Sequence, residues 1–393
     1  MVLIDLKRKK MKSTCQTIAF VLLLSGATIL FPKNPVRARD LGIPFNGVPG
    51  PENAITDVNG VEVGHVTLNY GEGDLKVGAG PVRTGVTVVL PRGKTYEPVP
   101  AGWFSLNGNG EMTGTTWISE SGFLEGPVVI TNTHSVGIAR DAVIEWGLKK
   151  SGGTKTFSLP VVAETWDGFL NDIDGFHVTK KHVFQALDNA GPGPVPEGNV
   201  GGGTGMRAFD FKAGIGTASR ILPKKAGSFI VGVLVQANFG RRKHLYIAGV
   251  PVGQEICDLM PIIKTTGKDE NSIIAVAATN APLLPHQLDR LAKRVSLGMA
   301  RTGGVSTNSS GDIFIAFSTV RPQQNKDGIM IWQALPDDDL DNLFIAVIQA
   351  TEEAIINSLV AAQTMKGING NTFYAIPHDR LKNILQKYNR LLK

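Results

Sequence analysis

Asn271-Ser272 stands between the charged pair Asp269-Glu270 and an unbroken apolar run over residues 273–279. A run without polar alternation reads as a strand buried on both faces, which puts Ser272 at the mouth of a core strand. A hydroxyl there is held by the sheet yet borders a polar loop, a placement that suits a nucleophile. Were the chain cut just before it, Ser272 would carry its own base. A terminal α-amine has a pKa of about 7.7–8.0, so part of it is unprotonated near neutral pH and can take the hydroxyl proton. Three more polar residues fall at predicted strand ends: Ser310 and Asp312 ahead of the apolar run 313–318, and Asn238 after the run 229–236. A nucleophilic hydroxyl, a second hydroxyl, a carboxylate and an amide donor are the parts of an acyl-transfer site. Polar residues collect at strand ends in every α/β protein, so the pattern by itself leaves open a plain loop dipeptide at Asn271-Ser272.

The elements that must position these residues are legible as alternating strands and helices. Apolar alternation on both sides of Asn59-Gly60 predicts a hairpin over residues 53–66. Strands are expected at 85–90, 127–134, 159–164 and 229–236, and helices at 138–149, 179–190, 285–301 and from Asp337 to Leu359. Residues 107–114 are a glycine-dense loop, able to cradle a ligand or simply to connect. Gly201-Gly202-Gly203-Thr204-Gly205 lacks the Gly-Lys-Ser/Thr ending of a phosphate loop and is not read as one. Residues 211–220, with Gly214 and Gly216, read as a tight turn, and residues 306–312 as a polar loop feeding a strand. Residues 264–270 read as an exposed linker, where scission would leave the fold intact. Together these predict a mixed α/β protein with helices packed on sheets.

The first 38 residues read as an export signal: a basic head from Lys7 to Lys12, an apolar run at 17–31, and small residues around Val36-Arg37-Ala38. The run is shorter than the roughly 20 residues a membrane span needs, so no stable membrane anchor is expected. The chain holds 40 Lys+Arg and 34 Asp+Glu, of which seven and one lie in residues 1–38, leaving 33 of each. The basic balance therefore belongs to the leader and gives no reason to invoke nucleic acid. Cys15 lies in the leader and Cys257 stands alone, so a disulfide-free domain stabilised by a large core is expected over residues 39–393. No His-Glu-x-x-His pattern and no Gly-x-Ser-x-Gly elbow is present, so neither a metal nor another cofactor is expected.

Several separate stretches carry a family likeness. Val235-Gln236-Ala237-Asn238-Phe239-Gly240, Gly249-Val250-Pro251-Val252-Gly253, Asn271-Ser272-Ile273-Ile274, Ala281-Pro282-Leu283-Leu284-Pro285-His286, and Leu297-Gly298-Met299-Ala300-Arg301-Thr302-Gly303 are among them. With Asn107 to Gly114, Thr131-Asn132-Thr133-His134, Gly214 to Arg220 and Ala375-Ile376-Pro377-His378, they span nearly the whole mature chain. The sequence resembles the L-aminopeptidase D-amidase/esterase and β-peptidyl aminopeptidase family.

That resemblance implies a four-layer αββα sandwich, similar to the N-terminal nucleophile hydrolases but differently connected. It implies an exported, periplasmic or secreted precursor that cuts itself between Asn271 and Ser272 into an α chain (39–271) and a β chain (272–393). The two would stay associated, as a homo-oligomer of αβ units. Ser272 would be the nucleophile of self-cleavage and of turnover on small peptides, amides or esters with a free amine, β-peptides included. Ser310 and Asp312 would assist proton transfer, Asn238 would supply the oxyanion-hole amide, and Glu164 would bind the substrate amine. The chain departs from the family pattern at two of these positions: Asp312 stands where Glu is usual in β-peptide-cleaving members, and Trp166 where Tyr is common, leaving Trp166 as a pocket wall without a phenol. An acyltransferase of the same fold, or a non-catalytic periplasmic binding protein using the same cleft, are the competing functions.

Overall fold

A computed structural model describes residues 36–153, 157–264 and 271–392. The predicted apolar leader run and most of the linker at 264–270 lie outside the described residues. Among the described residues, strands β1 (Glu62–Tyr70), β2 (Val82–Lys94), β5 (Val128–Asn132) and β6 (Val161–Thr165) make one sheet, in the order β1-β2-β5-β6. A second sheet runs β4-β3-β10-β9-β8-β7, from β3 (Val99–Gly108), β4 (Phe123–Leu124), β7 (Ile215–Ile221), β8 (Ile230–Asn238), β9 (Asn271–Thr279) and β10 (Ser310–Ser318). Within it β9 and β10 are parallel, while β8 pairs antiparallel with β9, and β3 with β10.

Alternation along the strands sorts side chains into three cores, which is what makes four layers. A short helix α1 (Thr115–Ser121) precedes β4. Val86, Val88 and Val129 face helices α2 (Val136–Lys150) and α3 (Lys180–Asp188) through Val143, Trp146, Val183 and Leu187. Val89, Ile130, Ala163, Leu234, Ile274, Val276 and Ile315 meet between the two sheets. Val233, Val235, Ala275, Ala277 and Phe314 face helices α4 (Pro285–Arg301) and α5 (Asp341–Val360) through Leu288, Leu291, Val347 and Ile355. The stretch Asp337–Val360 is long and apolar enough to cross a membrane, yet 78% of its apolar window is buried inside the fold, as expected of a core helix.

Three local expectations are corrected. Asn59-Gly60 does turn the chain, but no hairpin forms, because residues 55–57 make a 3-10 turn docked on the second sheet. Asp57 accepts the Glu52 and Ala54 N–H groups at 3.0 and 3.1 Å, and Ile55 N–H reaches Thr217 Oγ1 at 2.8 Å. The partner of β1 is therefore β2. Residues 215–221 are strand β7, not a turn. Gly216 is needed there for close approach, since a Cβ would lie 1.9 Å from the Ala354 carbonyl oxygen on α5. Ser310 to Asp312 are already in β10, paired against Asn271 to Ile273.

Arg37 and Ala38, placed above in the leader, are built into this domain. Arg37 Nε lies 2.6 Å from Glu197 Oε2, Arg37 Nη2 donates to the Thr217 carbonyl at 2.7 Å, and Ala38 N–H donates to Asn357 Oδ1 at 3.0 Å. A leader ending at Ala38 would take these contacts with it. Next to them Glu353, fully buried on α5, receives Arg39 Nε at 2.7 Å, Arg220 Nη2 at 2.7 Å and Asn53 Nδ2 at 2.5 Å. Removing one side of a buried ion pair strands the other charge. Glu353→Ala should therefore cost about 3–5 kcal/mol of unfolding free energy, read from the midpoint shift in chemical denaturation; a loss below about 1 kcal/mol would contradict this reading of the network.

Candidate active site

Ser272 is the second residue of β9, 3% exposed, registered against Asn238 on β8 and against Gly311 on β10. Its parity is that of Ile274 and Val276, so it belongs to the face between the sheets. Its neighbour on β10, Gly311, is closely covered by another glycine: a Cβ on Gly110 would come 3.1 Å from Gly311 Cα and 3.2 Å from Glu164 Oε1. The Asn107 to Gly114 stretch, read as cradle or connection, is thus the strap that carries Glu164's surroundings to Ser272's neighbour. Glu111 N–H donates to Glu164 Oε1 at 3.0 Å and Thr133 Oγ1 donates to Oε2. Burial raises the Glu164 pKa, and the Thr133 and Glu111 bonds oppose the rise.

The Asn238 carboxamide is fixed at both ends. Its Oδ1 accepts the Arg207 backbone N–H at 3.2 Å, and its Nδ2 donates to the Trp166 carbonyl at 2.8 Å. An amide nitrogen carries two hydrogens, and this one belongs to the residue paired directly with Ser272 across the ladder. Trp166 packs edge-on against Phe169, ring centres 4.9 Å apart, and takes part through its ring and its main chain. Beneath it, buried Asp167 accepts Asn171 Nδ2 at 3.0 Å, and burial pushes its pKa up to about 7. The Thr84, Asn171 and Asn132 side chains oppose this rise.

Ser310 and Asp312 converge on the same strand end but on the other face. They share parity with Phe314, which packs toward the helices. Ser310 Oγ donates to Asp312 Oδ1 at 2.6 Å, Ser306 Oγ donates to Oδ2, and the Ile273 backbone N–H also reaches this carboxylate. Burial raises the Asp312 pKa against these bonds. The unit therefore addresses the main chain beside Ser272. A hydroxyl, Ser306, completes the shorter Asp312 side chain's hydrogen bonding.

Sequence reasoning missed Thr133, Glu111, Ser306, Asp167 and Arg207. Thr133 lay inside a quoted motif and Ser306 inside a polar loop, whereas Arg207, an isolated arginine, gave no signal. Arg207 is 2% exposed and its Nη1 donates to Asn271 Oδ1 at 3.1 Å. A cavity of about 800 Å³ lies elsewhere, lined by Asp210, Arg241, Arg242, Lys243 and Cys257 among others; none of the predicted site residues lines it.

With this geometry in hand, comparison with known proteins is informative. The model of Peptidase family S58 matches residues 53–373. The chain is 53% identical over 390 residues to the β-peptidyl aminopeptidase BapA of Sphingosinicella microcystinivorans, covering 95% of this chain and 97% of that one. It is 48% identical to the β-peptidyl aminopeptidase BapA of Sphingosinicella xenopeptidilytica, covering 89% and 91%. Among solved structures it is similar to the L-aminopeptidase D-Ala-esterase/amidase of Ochrobactrum anthropi, described as a variant of the Ntn hydrolase fold. The TM-score is 0.83 at 49% identity, covering 90% of this chain and 99% of that one. A Burkholderia sp. β-aminopeptidase gives a TM-score of 0.82 at 46% identity, with the same coverage. By these matches the chain belongs to peptidase family S58, as an aminopeptidase of Ntn-hydrolase fold.

Proposed function

We propose that the protein is an exported serine aminopeptidase that first cuts its own Asn271–Ser272 bond and then removes N-terminal residues from small peptides, amides or esters, β-amino acyl compounds included. The observation that carries the reading is the placement of Ser272. It lies at the edge of a central strand, between Asn238 on one side and Gly311 on the other, with the Asp312 carboxylate at the next backbone N–H.

In the first stage Ser272 Oγ attacks the Asn271 carbonyl carbon, the C–N bond breaks, and the acyl group shifts to oxygen. Water then hydrolyses the ester, leaving a carboxylate on Asn271 and an amine on Ser272. The free amine appears on the main-chain side, where the Ser310–Asp312 unit lies. Asp312 thus serves the proton on the amine, while the amine serves the proton on Oγ. In the second stage the same Oγ attacks the substrate's acyl carbon, with Asn238 Nδ2 on the oxyanion and Glu164 on the substrate ammonium. The acyl-enzyme is released by water.

Strand order supports a stable cut product. The β-chain strands β9 and β10 lie between β8 and β3, both of the α chain, so scission leaves two ladders holding the pieces together. A leader that ends upstream of Arg37 is the reading that the anchoring of Arg37 and Ala38 in the domain supports.

Ser272→Ala should give one uncut, inactive polypeptide on a denaturing gel, where the wild type gives two bands, the larger about twice the smaller. An active or cut Ser272→Ala protein would overturn the assignment. Glu164 binds an ammonium only when ionised, and its pKa is raised. The acid limb of kcat/KM should accordingly lie above the ordinary glutamate range, activity falling as pH drops through it. Glu164→Gln should raise KM roughly 10–100-fold, the worth of a charge-assisted hydrogen bond of about 1.5–3 kcal/mol. An unchanged KM would remove Glu164 from the amine site.

A further inference from the structure

Lys212 is fully buried, and its amino group is held by main-chain carbonyls. Nζ lies 2.6 Å from the Ala213 oxygen, 2.7 Å from that of Met206 and 3.4 Å from that of Gly203. No carboxylate among the described residues pairs with it, and burial lowers its pKa well below the usual lysine range. Acceptors on three sides suit an ammonium, which has three donors and no lone pair, whereas a neutral amine would turn its lone pair on one of them. A cation without a counter-ion is costly to bury, and a methionine would fill similar space without that cost.

The group that the ammonium holds is the peptide that orients Asn238. Met206 C=O and Arg207 N–H belong to one planar amide. Its oxygen accepts Lys212 Nζ at 2.7 Å and the Ala213 N–H at 3.2 Å, and its N–H donates to Asn238 Oδ1 at 3.2 Å. The Asn238 carboxamide donates in turn through Nδ2, and Asn238 is paired across the ladder with Ser272. Ammonium, peptide and carboxamide thus stand in series, the two amides each accepting at oxygen and donating at nitrogen. Charge at the head of such a chain draws electron density along it and strengthens each later donor, by roughly 10–30% per bond. Local pairing puts Lys212 in reach: Phe211–Lys212 pairs antiparallel with Arg207–Ala208, so the side chain returns to the carbonyl just before Arg207.

We propose that Lys212 is a positioning residue for the oxyanion amide: its ammonium fixes and polarises the Met206–Arg207 peptide, which holds Asn238 and makes Nδ2 a stronger donor. This rests on the oxyanion role given to Asn238 above.

The test compares kcat and KM on a β-alanyl p-nitroanilide, per mole of titrated active serine, for Lys212→Met, Lys212→Gln, Lys212→Arg, Asn238→Ala and the double variant Lys212→Met/Asn238→Ala. Lys212→Met is expected to lower kcat on the order of tenfold with KM changed less than about threefold, because the amide acts on charge that develops only in the transition state. Lys212→Gln keeps a donor without the charge and should lose kcat similarly, whereas Lys212→Arg should recover most of it; a merely structural tie would be restored by either. In the Asn238→Ala background, Lys212→Met should cost less than about a further twofold, since the donor it acts on is gone. Denaturation midpoints of the same substitutions in an uncleavable Ser272→Ala chain report folding separately. Should neither neutral variant fold, the carbonyl stretch of the acyl-enzyme in Lys212→Arg decides. A guanidinium spreads its charge, so the band should move to higher wavenumber than in the wild type, and an unmoved band overturns the proposal. Wild-type kcat in Lys212→Met, equal recovery by glutamine and arginine, or an undiminished effect without Asn238 also overturns it while leaving Asn238 in place. Asn238→Ala with wild-type kcat overturns both.

Discussion

The site depends on one structural constraint: the bond preceding Ser272 lies inside a hydrogen-bonded ladder. Asn271 is already the first residue of β9, opposite Ser310, and Ser272 is flanked on both sides by paired strands. A loop would let this peptide sample many geometries, whereas a central strand pinned by two neighbours fixes it. Effective catalysis gains most from such pre-set orientation, because the reacting atoms need not search. The small residues nearby follow from the same constraint. Gly110 and Gly311 are packed so closely that a side chain on Gly311 would meet the Asn109-Gly110 backbone, and one on Gly110 would meet Gly311 and Glu164.

The pleat of the strand then divides the polar groups between two faces. Ser272 Oγ and the Asn238 amide share the face between the sheets, and Ser310 with Asp312 shares the opposite face. A relay running straight from Oγ to Asp312 would have to cross the sheet. The proposed mechanism avoids this by passing the proton through the Ser272 amine that self-cleavage would free in the plane of the strand. Buried carboxyls here have raised pKa values for one dominant reason, loss of water, and each is offset by hydroxyl or backbone donors. Such groups exchange protons more readily near neutral pH than ordinary carboxylates do.

Much of this was legible from residue patterns, and the failures have physical causes. The strands at 128–132, 161–165, 230–238 and 271–279 are unbroken apolar runs because helices or a second sheet cover both faces. The long helices announced themselves by period. The Asn59-Gly60 signal misled because a turn sequence does not say which strands it joins, and tertiary docking of residues 55–57 decided the matter. Gly216 was read as a turn glycine when it is a contact glycine, a distinction that exists only once α5 lies across β7. Arg207 was invisible for a similar reason: its importance comes from neighbours some 30 and 64 positions away. Ser310 and Asp312 were found by position at a strand mouth, but the face they occupy followed only from where β10 begins.

The most direct test of this account is the intact mass of the freshly purified protein, measured under denaturing conditions and combined with sequencing of any new amino terminus. The account predicts two polypeptides whose masses divide the chain between Asn271 and Ser272, the shorter beginning with an unblocked serine. A single continuous polypeptide that nonetheless releases N-terminal residues from substrates, or a new terminus at any other position, would contradict it.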